Sequence, residues 1–86
     1  MDALRQIEAF VAVVRAGSYV KAAERQETSK AVLSRQVLEL ETRLGTRLLN
    51  RTTRNVSLTD AGRLLLQRST PLIEMIELTQ DELKGR

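Results

Sequence analysis

Residues 18–45 read SYVKAAERQETSKAVLSRQVLELETRLG, and this stretch holds two helix starts and one helix stop. Ser18 offers a side-chain oxygen to the free amides of a short helix, expected to bury Val20, Ala22 and Ala23 before the polar stretch Gln26-Glu27-Thr28. Ser29 repeats the capping logic for a longer helix. Its apolar positions Leu33, Val37, Leu40 and Leu44 keep the three-and-four spacing until Gly45, a residue able to take a left-handed C-terminal cap, closes it. The outcome is a pair of helices joined by a tight polar turn, the second exposing Lys30, Ser34 and Arg35 near its N-terminus.

Upstream, Leu4, Ile7, Phe10, Val11 and Val14 fall on one helical face, which predicts a first helix over about Leu4 to Ala16 before Gly17. Downstream, Leu48-Leu49-Asn50-Arg51 and Asn55-Val56-Ser57-Leu58 are too short for helices and flank the polar Thr52-Thr53-Arg54, the pattern of a β-hairpin. Thr59 caps a last helix with Asp60 in its first turn, and Leu64, Leu65, Leu72, Ile76 and Leu83 continue the helical pattern. That helix is expected to exceed about 20 residues, with a bend or break around Gln67 to Pro71, where the proline removes an amide donor at a cost of about 3 kcal/mol unless packing offsets it.

The chain has 86 residues, room for one small core, and aromatics make up 2% of it, Phe10 and Tyr19 alone. The core must therefore be aliphatic side chains packed between helices. The fold class predicted is mainly all-α: a winged helix-turn-helix over 1–58, with a short two-stranded β wing, and a long linker helix over 59–86. Fourteen Lys and Arg against 11 Asp and Glu give a net charge of +3, too modest to diagnose a partner. Its distribution says more. Between residues 30 and 54 lie Lys30, Arg35, Arg43, Arg47, Arg51 and Arg54 against Glu39 and Glu41, whereas Glu74, Glu77, Asp81 and Glu82 dominate after Pro71.

The sequence contains no Cys and no His, which removes disulfides, thiol catalysis, zinc sites built on those ligands and imidazole acid–base chemistry. No nucleophile with a neighbouring base and no phosphate-cradling glycine loop can be assembled, so no enzyme activity and no cofactor are expected. Apolar runs are far shorter than the roughly 20 residues that span a bilayer, and no signal segment opens the chain. The expectation is a cytoplasmic, nucleoid-associated protein without a membrane partner.

A short turn followed by a capped helix with cations on its outer face is the arrangement of a recognition helix, whose N-terminal residues point at base edges in the major groove. Arg35 can bridge guanine O6 and N7 or grip a phosphate with parallel hydrogen bonds, and Lys30 can donate to either. Ser29 and Ser34 suit phosphate oxygens. Ala31 and Val32 suit thymine methyl groups. Taken singly, each of these has a blander explanation, since charged outer faces are ordinarily just solvated and a Ser before a helix is ordinarily just a cap. The hairpin adds weight: Arg51 and Arg54 bracket Thr52 and Thr53, a composition suited to a wing that follows phosphates and inserts an arginine into a narrow minor groove.

Ala22-Ala23-Glu24-Arg25, Ser29, Leu33-Ser34-Arg35-Gln36-Val37, Leu40-Glu41, Leu44-Gly45, Arg47-Leu48-Leu49-Asn50-Arg51-Thr52-Thr53-Arg54 and Ser57-Leu58-Thr59-Asp60-Ala61-Gly62 together resemble the signature of the LysR-type bacterial transcription regulators. The likeness runs without a gap over about residues 3 to 70. It implies that Lys30, Ala31, Val32, Ser34 and Arg35 meet the major groove and that Arg51 and Arg54 meet the backbone or minor groove. It also implies that the last helix pairs antiparallel with a second copy and leads to an effector-binding domain, absent from these residues, so that the chain is expected to be a fragment or truncation and any small-molecule sensing lies outside it. Two departures stand out. Gln26, Glu27 and Thr28 replace the family's usual Leu, Gly or Asn, and Val, which predicts a strained or mobile turn. Lys30 replaces a common glutamine, exchanging a base-reading amide for a cation.

The last helix is too long to bury all its apolar residues on so small a body, so Leu65, Leu72, Ile76 and Leu83 are expected to meet a second copy. A twofold dimer sets its recognition helices roughly 34 Å apart, and the expected target is an interrupted palindrome in double-stranded DNA. The rival reading is a protein-interaction module that uses the same helix on another partner.

Overall fold

The structure, a computed structural model, describes residues 3–50 and 56–85. Four helices and one two-stranded antiparallel sheet follow in the order α1 (Ala3–Ala16), α2 (Tyr19–Gln26), α3 (Lys30–Leu44), β1 (Leu49–Asn50), β2 (Ser57–Leu58) and α4 (Asp60–Lys84). Leu49 pairs with Leu58 and Asn50 with Ser57. This is a winged helix-turn-helix, as the sequence predicts. The wing tip, with Arg51, Thr52, Thr53 and Arg54, lies outside the described residues.

Each helix start and stop has a visible cause. Ser18 Oγ accepts from the Lys21 N–H at 3.1 Å and Ser29 Oγ from the Val32 N–H at 3.1 Å, so each satisfies an amide that the helix itself leaves unpaired. Thr59 Oγ1 does the same for Gly62 at 3.0 Å. Gly45 closes α3 in the left-handed region at φ 71°, its N–H reaching the Glu41 carbonyl at 2.8 Å.

The core lies where α1 crosses α2 and α3. Phe10, Val13 and Val37 are fully buried, with Ala22, Leu33, Leu40, Leu48 and Leu49 around them. The α1 face sits slightly off its expected place. Phe10 and Val11 are buried, Ile7 and Val14 only in part, and Leu4 is exposed, while Val13 and Gln6 point inward. Val20, expected in the core, is 54% exposed. Tyr19, Ala22 and Ala23 form the inner face of α2, and the helical turn carries Val20 roughly 100° away from it. Leu44 is likewise half exposed, at the very end of its helix.

Of the bend or break expected at Pro71, the break is corrected: α4 is one helix of 25 residues with Pro71 inside it. Gln67 and Pro71 both lie on the exposed side, so the carbonyl deprived of its usual donor is at the surface. Two residues on, Ile73 is 5% exposed in the core, a contact of the kind that can offset the lost bond. At about 1.5 Å per residue α4 is roughly 37 Å long. The principal extents of 46 × 25 × 23 Å reflect a helix that runs well past the body it packs on.

Candidate nucleic-acid interface

The turn from α2 to α3 sets the candidate interface. Glu27 caps α2 at φ 55° and ψ 46°, and among the described residues it is the one non-glycine residue with positive φ. Its N–H meets the Glu24 carbonyl at 3.3 Å, and the Thr28 N–H meets the Ala23 carbonyl at 3.0 Å, the bonding of a left-handed helix stop. A glutamate carries a steric penalty there that glycine lacks, so the strain expected from Gln26-Glu27-Thr28 has a definite address.

Beyond this turn, α3 presents its first two turns outward. Ser29, Lys30, Ala31 and Arg35 are exposed, Val32 and Ser34 half-buried, and Leu33 and Val37 are in the core; Arg35 lies opposite that buried stripe, whereas Lys30, three residues before Leu33, is in line with it and is exposed by its place at the helix end. The structure thus brings six of the residues singled out from the sequence onto one end of one helix. The uncapped amides of that end point the same way, an arrangement that favours anions. Ser29 Oγ is committed to the Val32 amide as a cap, which leaves its hydroxyl proton to donate elsewhere. Leu38, 49% exposed, continues the outer stripe beside Arg35.

Three side chains that periodicity does not single out hold this surface in place. Glu41 is buried on the apolar side of α3, and its Oε2 accepts from the backbone N–H groups of Leu48 at 2.7 Å and Leu49 at 3.2 Å. Gln6, 1% exposed, accepts from Arg43 Nε at 3.1 Å and ties α1 to the far end of α3, so Arg43 is not simply a cation facing solvent. The signal for Glu41 was available: an acid in the stripe Leu33, Val37, Leu40 has to be buried with partners. For Gln6, four residues before Phe10, the signal is weaker, since a long polar side chain can also lean outward.

Of the four residues expected to meet a second copy, Leu72 and Leu83 are 54% and 67% exposed, Ile76 is half-buried, and Leu65 packs partly against its own core. Leu65 is therefore shared with the domain rather than left over. Met75 and Leu78, 63% and 61% exposed, join the apolar surface instead. Among the described residues no helix is long and apolar enough to cross a membrane.

The comparison with known proteins agrees with this geometry. The model of the bacterial regulatory helix-turn-helix proteins of the lysR family matches residues 4–63, which takes in α1, the helix-turn-helix, the wing and the start of α4. The chain belongs to this family. It is 42% identical over 85 residues to an HTH-type transcriptional repressor of Pseudomonas aeruginosa, covering 99% of this chain and 27% of that protein. It is 45% identical over 74 residues to the SDS degradation transcriptional activation protein of a Pseudomonas species, covering 86% of this chain and 24% of that protein. The chain thus spans about a quarter of the length of these relatives. Among solved structures, the BenM DNA-binding domain in complex with catB site 1 DNA superposes with a TM-score of 0.87 at 35% identity, covering 99% of this chain and 93% of that one.

Proposed function

We propose that this chain binds double-stranded DNA in a sequence-specific manner and regulates transcription, acting at the nucleoid in the cytoplasm, with residues 1–58 as the DNA-binding unit and 59–86 as a linker helix. The observation that carries the reading is the outward end of α3. A Ser-capped helix start carries exposed Lys30, Ala31 and Arg35, in a fold that superposes on a regulator's domain solved with DNA. In this reading Arg35 reads guanine or clamps phosphate, Lys30 donates to either, Ser29 and Ser34 meet phosphate oxygens, and Ala31 and Val32 meet thymine methyls. Arg51, Thr52, Thr53 and Arg54 follow the backbone and minor groove.

The working unit is a homodimer through α4. Its N-terminal half carries Arg63 and Arg68 against Asp60, which pairs with Arg63, and its C-terminal half Glu74, Glu77, Asp81 and Glu82 against Lys84, so two copies running antiparallel set a weakly basic half beside an acidic one. Exposed Leu72, Met75, Leu78 and Leu83 supply the apolar contact. The site is then an interrupted palindrome, and effector sensing belongs to a further domain of the kind that relatives' greater length leaves room for. One similar protein is named a transcriptional repressor and another a transcriptional activation protein, so a domain of this kind is compatible with either outcome.

The deciding experiment is selection of bound duplexes from random DNA, followed by mobility shifts on the recovered sequence. An interrupted palindrome bound with steep salt dependence is expected. A monomer without salt-dependent DNA affinity would instead favour a protein-interaction module.

A further inference from the structure

The base of the wing is gripped from two sides. From α3, Glu41 Oε2 receives the N–H groups of Leu48 and Leu49, the latter the first residue of β1. From the start of α4, the Thr59 N–H donates to the Leu48 carbonyl at 3.0 Å and the Thr59 hydroxyl to the Arg47 carbonyl at 2.6 Å. Two consecutive amides that converge on one oxygen fix the direction in which the chain enters β1. That direction decides where a strand leading to Arg51 begins.

We propose that Glu41 is a positioning residue for DNA binding: from within the recognition helix it sets the wing's register, so that wing arginines and major-groove residues engage one duplex together. This rests on the DNA-binding reading above. Glu41 is 8% exposed on the core side of α3, on the side away from Arg35 and about three turns beyond Lys30, so it acts on DNA through the wing and not by contact. A carboxylate suits the task. An ionised oxygen accepts two amides more strongly than a neutral one, and removing it leaves two buried donors unpaired.

The test is a double-mutant cycle between Glu41→Gln and Arg54→Ala in this 86-residue chain, read on a duplex selected from random DNA by the wild type. Glu41→Gln is expected to keep the helical circular dichroism and the active fraction found by stoichiometric titration. It should bind roughly tenfold more weakly. The slope of log affinity against log salt should shrink by about 1, the size of one lost phosphate contact. Hydroxyl-radical protection by the wing should fade while the base preference that depends on Arg35 stays. With Arg54 already replaced, Glu41→Gln should add little. Wild-type binding by Glu41→Gln, penalties that multiply in the double variant, or a change in the base preference that depends on Arg35 each overturn the proposal. If Glu41→Gln does not fold, Glu41→Asp, which keeps the charge and shortens the reach, takes its place in the same cycle with the same outcomes. Failure of the wild type itself to bind any selected duplex would sink the DNA-binding reading, and this inference with it, and is told apart by that control.

Discussion

Gly62 lies against the Leu48 carbonyl so closely that a Cβ on it would overlap the carbonyl oxygen, with the carbonyl carbon at 3.0 Å and Leu58 Cδ2 at 3.1 Å. The first turn of α4 is therefore seated directly on the base of the wing. The neighbour is backbone, held by Glu41 and Thr59, and has little room to yield. Gly62→Ala should destabilise the domain by about 1–3 kcal/mol despite alanine's better helix propensity. Thermal denaturation is the check, at about 4–8 °C per kcal/mol for a domain of this size. An unchanged or higher midpoint would mean that α4 shifts freely on the wing, and the two-sided grip would be wrong.

Glu27 invites the opposite substitution. Its φ of 55° is strained for any residue with a Cβ, and its side chain is exposed with no hydrogen bond that the stop requires. Glu27→Gly should stabilise by about 1 kcal/mol, the order of the left-handed penalty for an L-residue. It also removes a negative charge beside the start of α3, so DNA affinity at low salt should rise or hold. A falling melting midpoint would show that the strain is not where the backbone places it.

These two positions illustrate what the sequence discloses and what it hides. The helix starts at Ser18, Ser29 and Thr59 and the stops at Gly17 and Gly45 were legible because capping chemistry is local, and α3 was legible through the stripe Leu33, Val37, Leu40. Val20 misled because an eight-residue helix has too few apolar positions to fix its inner face, and its neighbours Ala22 and Ala23 settle the matter only once α1 is present. The break expected at Pro71 misled for a related reason. Its local cost was read correctly, but the anchor at Ile73 that can offset it is a tertiary contact. The outward place of Arg35 followed from the stripe opposite it and that of Lys30 from the helix start at Ser29, whereas the hold of Glu41 on Leu48 and Leu49 depends on the chain reversal after Gly45, which no spacing announces.

Adjacent residues in α4 separate its packing on the domain from the proposed contact with a second copy. Ile73 is buried in the core and Leu72 is 54% exposed beside it. Ile73→Ala should cost about 2–5 kcal/mol of folding stability, as for other buried aliphatic truncations. Leu72→Asp should leave the monomer's fold intact but shift sedimentation from dimer to monomer and weaken binding to a palindromic duplex far more than to a half-site. If Leu72→Asp stays dimeric while binding is unaffected, α4 is not the dimer interface.

Arg35 and Arg54 should differ in kind as well as in degree. On the proposed reading Arg35 makes a bidentate contact to guanine, so Arg35→Ala should cost about 1–3 kcal/mol on the selected site and relax preference at one base pair of each half-site. Arg54→Ala should instead weaken binding to many sequences by a similar factor and lower the salt slope by about 1. A loss of A/T preference near the half-site edge would place Arg54 in the minor groove rather than on the backbone. Lys30→Gln distinguishes the remaining choice at the start of α3. If Lys30 meets a phosphate, the substitution lowers the salt slope and leaves the selected sequence unchanged. If it reads a base, the slope holds and one position of the selected sequence moves towards adenine, the base a glutamine amide pairs with in the major groove. Selection from random DNA with the two proteins side by side, at two salt concentrations, reads both outcomes, and an unchanged slope with an unchanged sequence would remove Lys30 from the interface altogether.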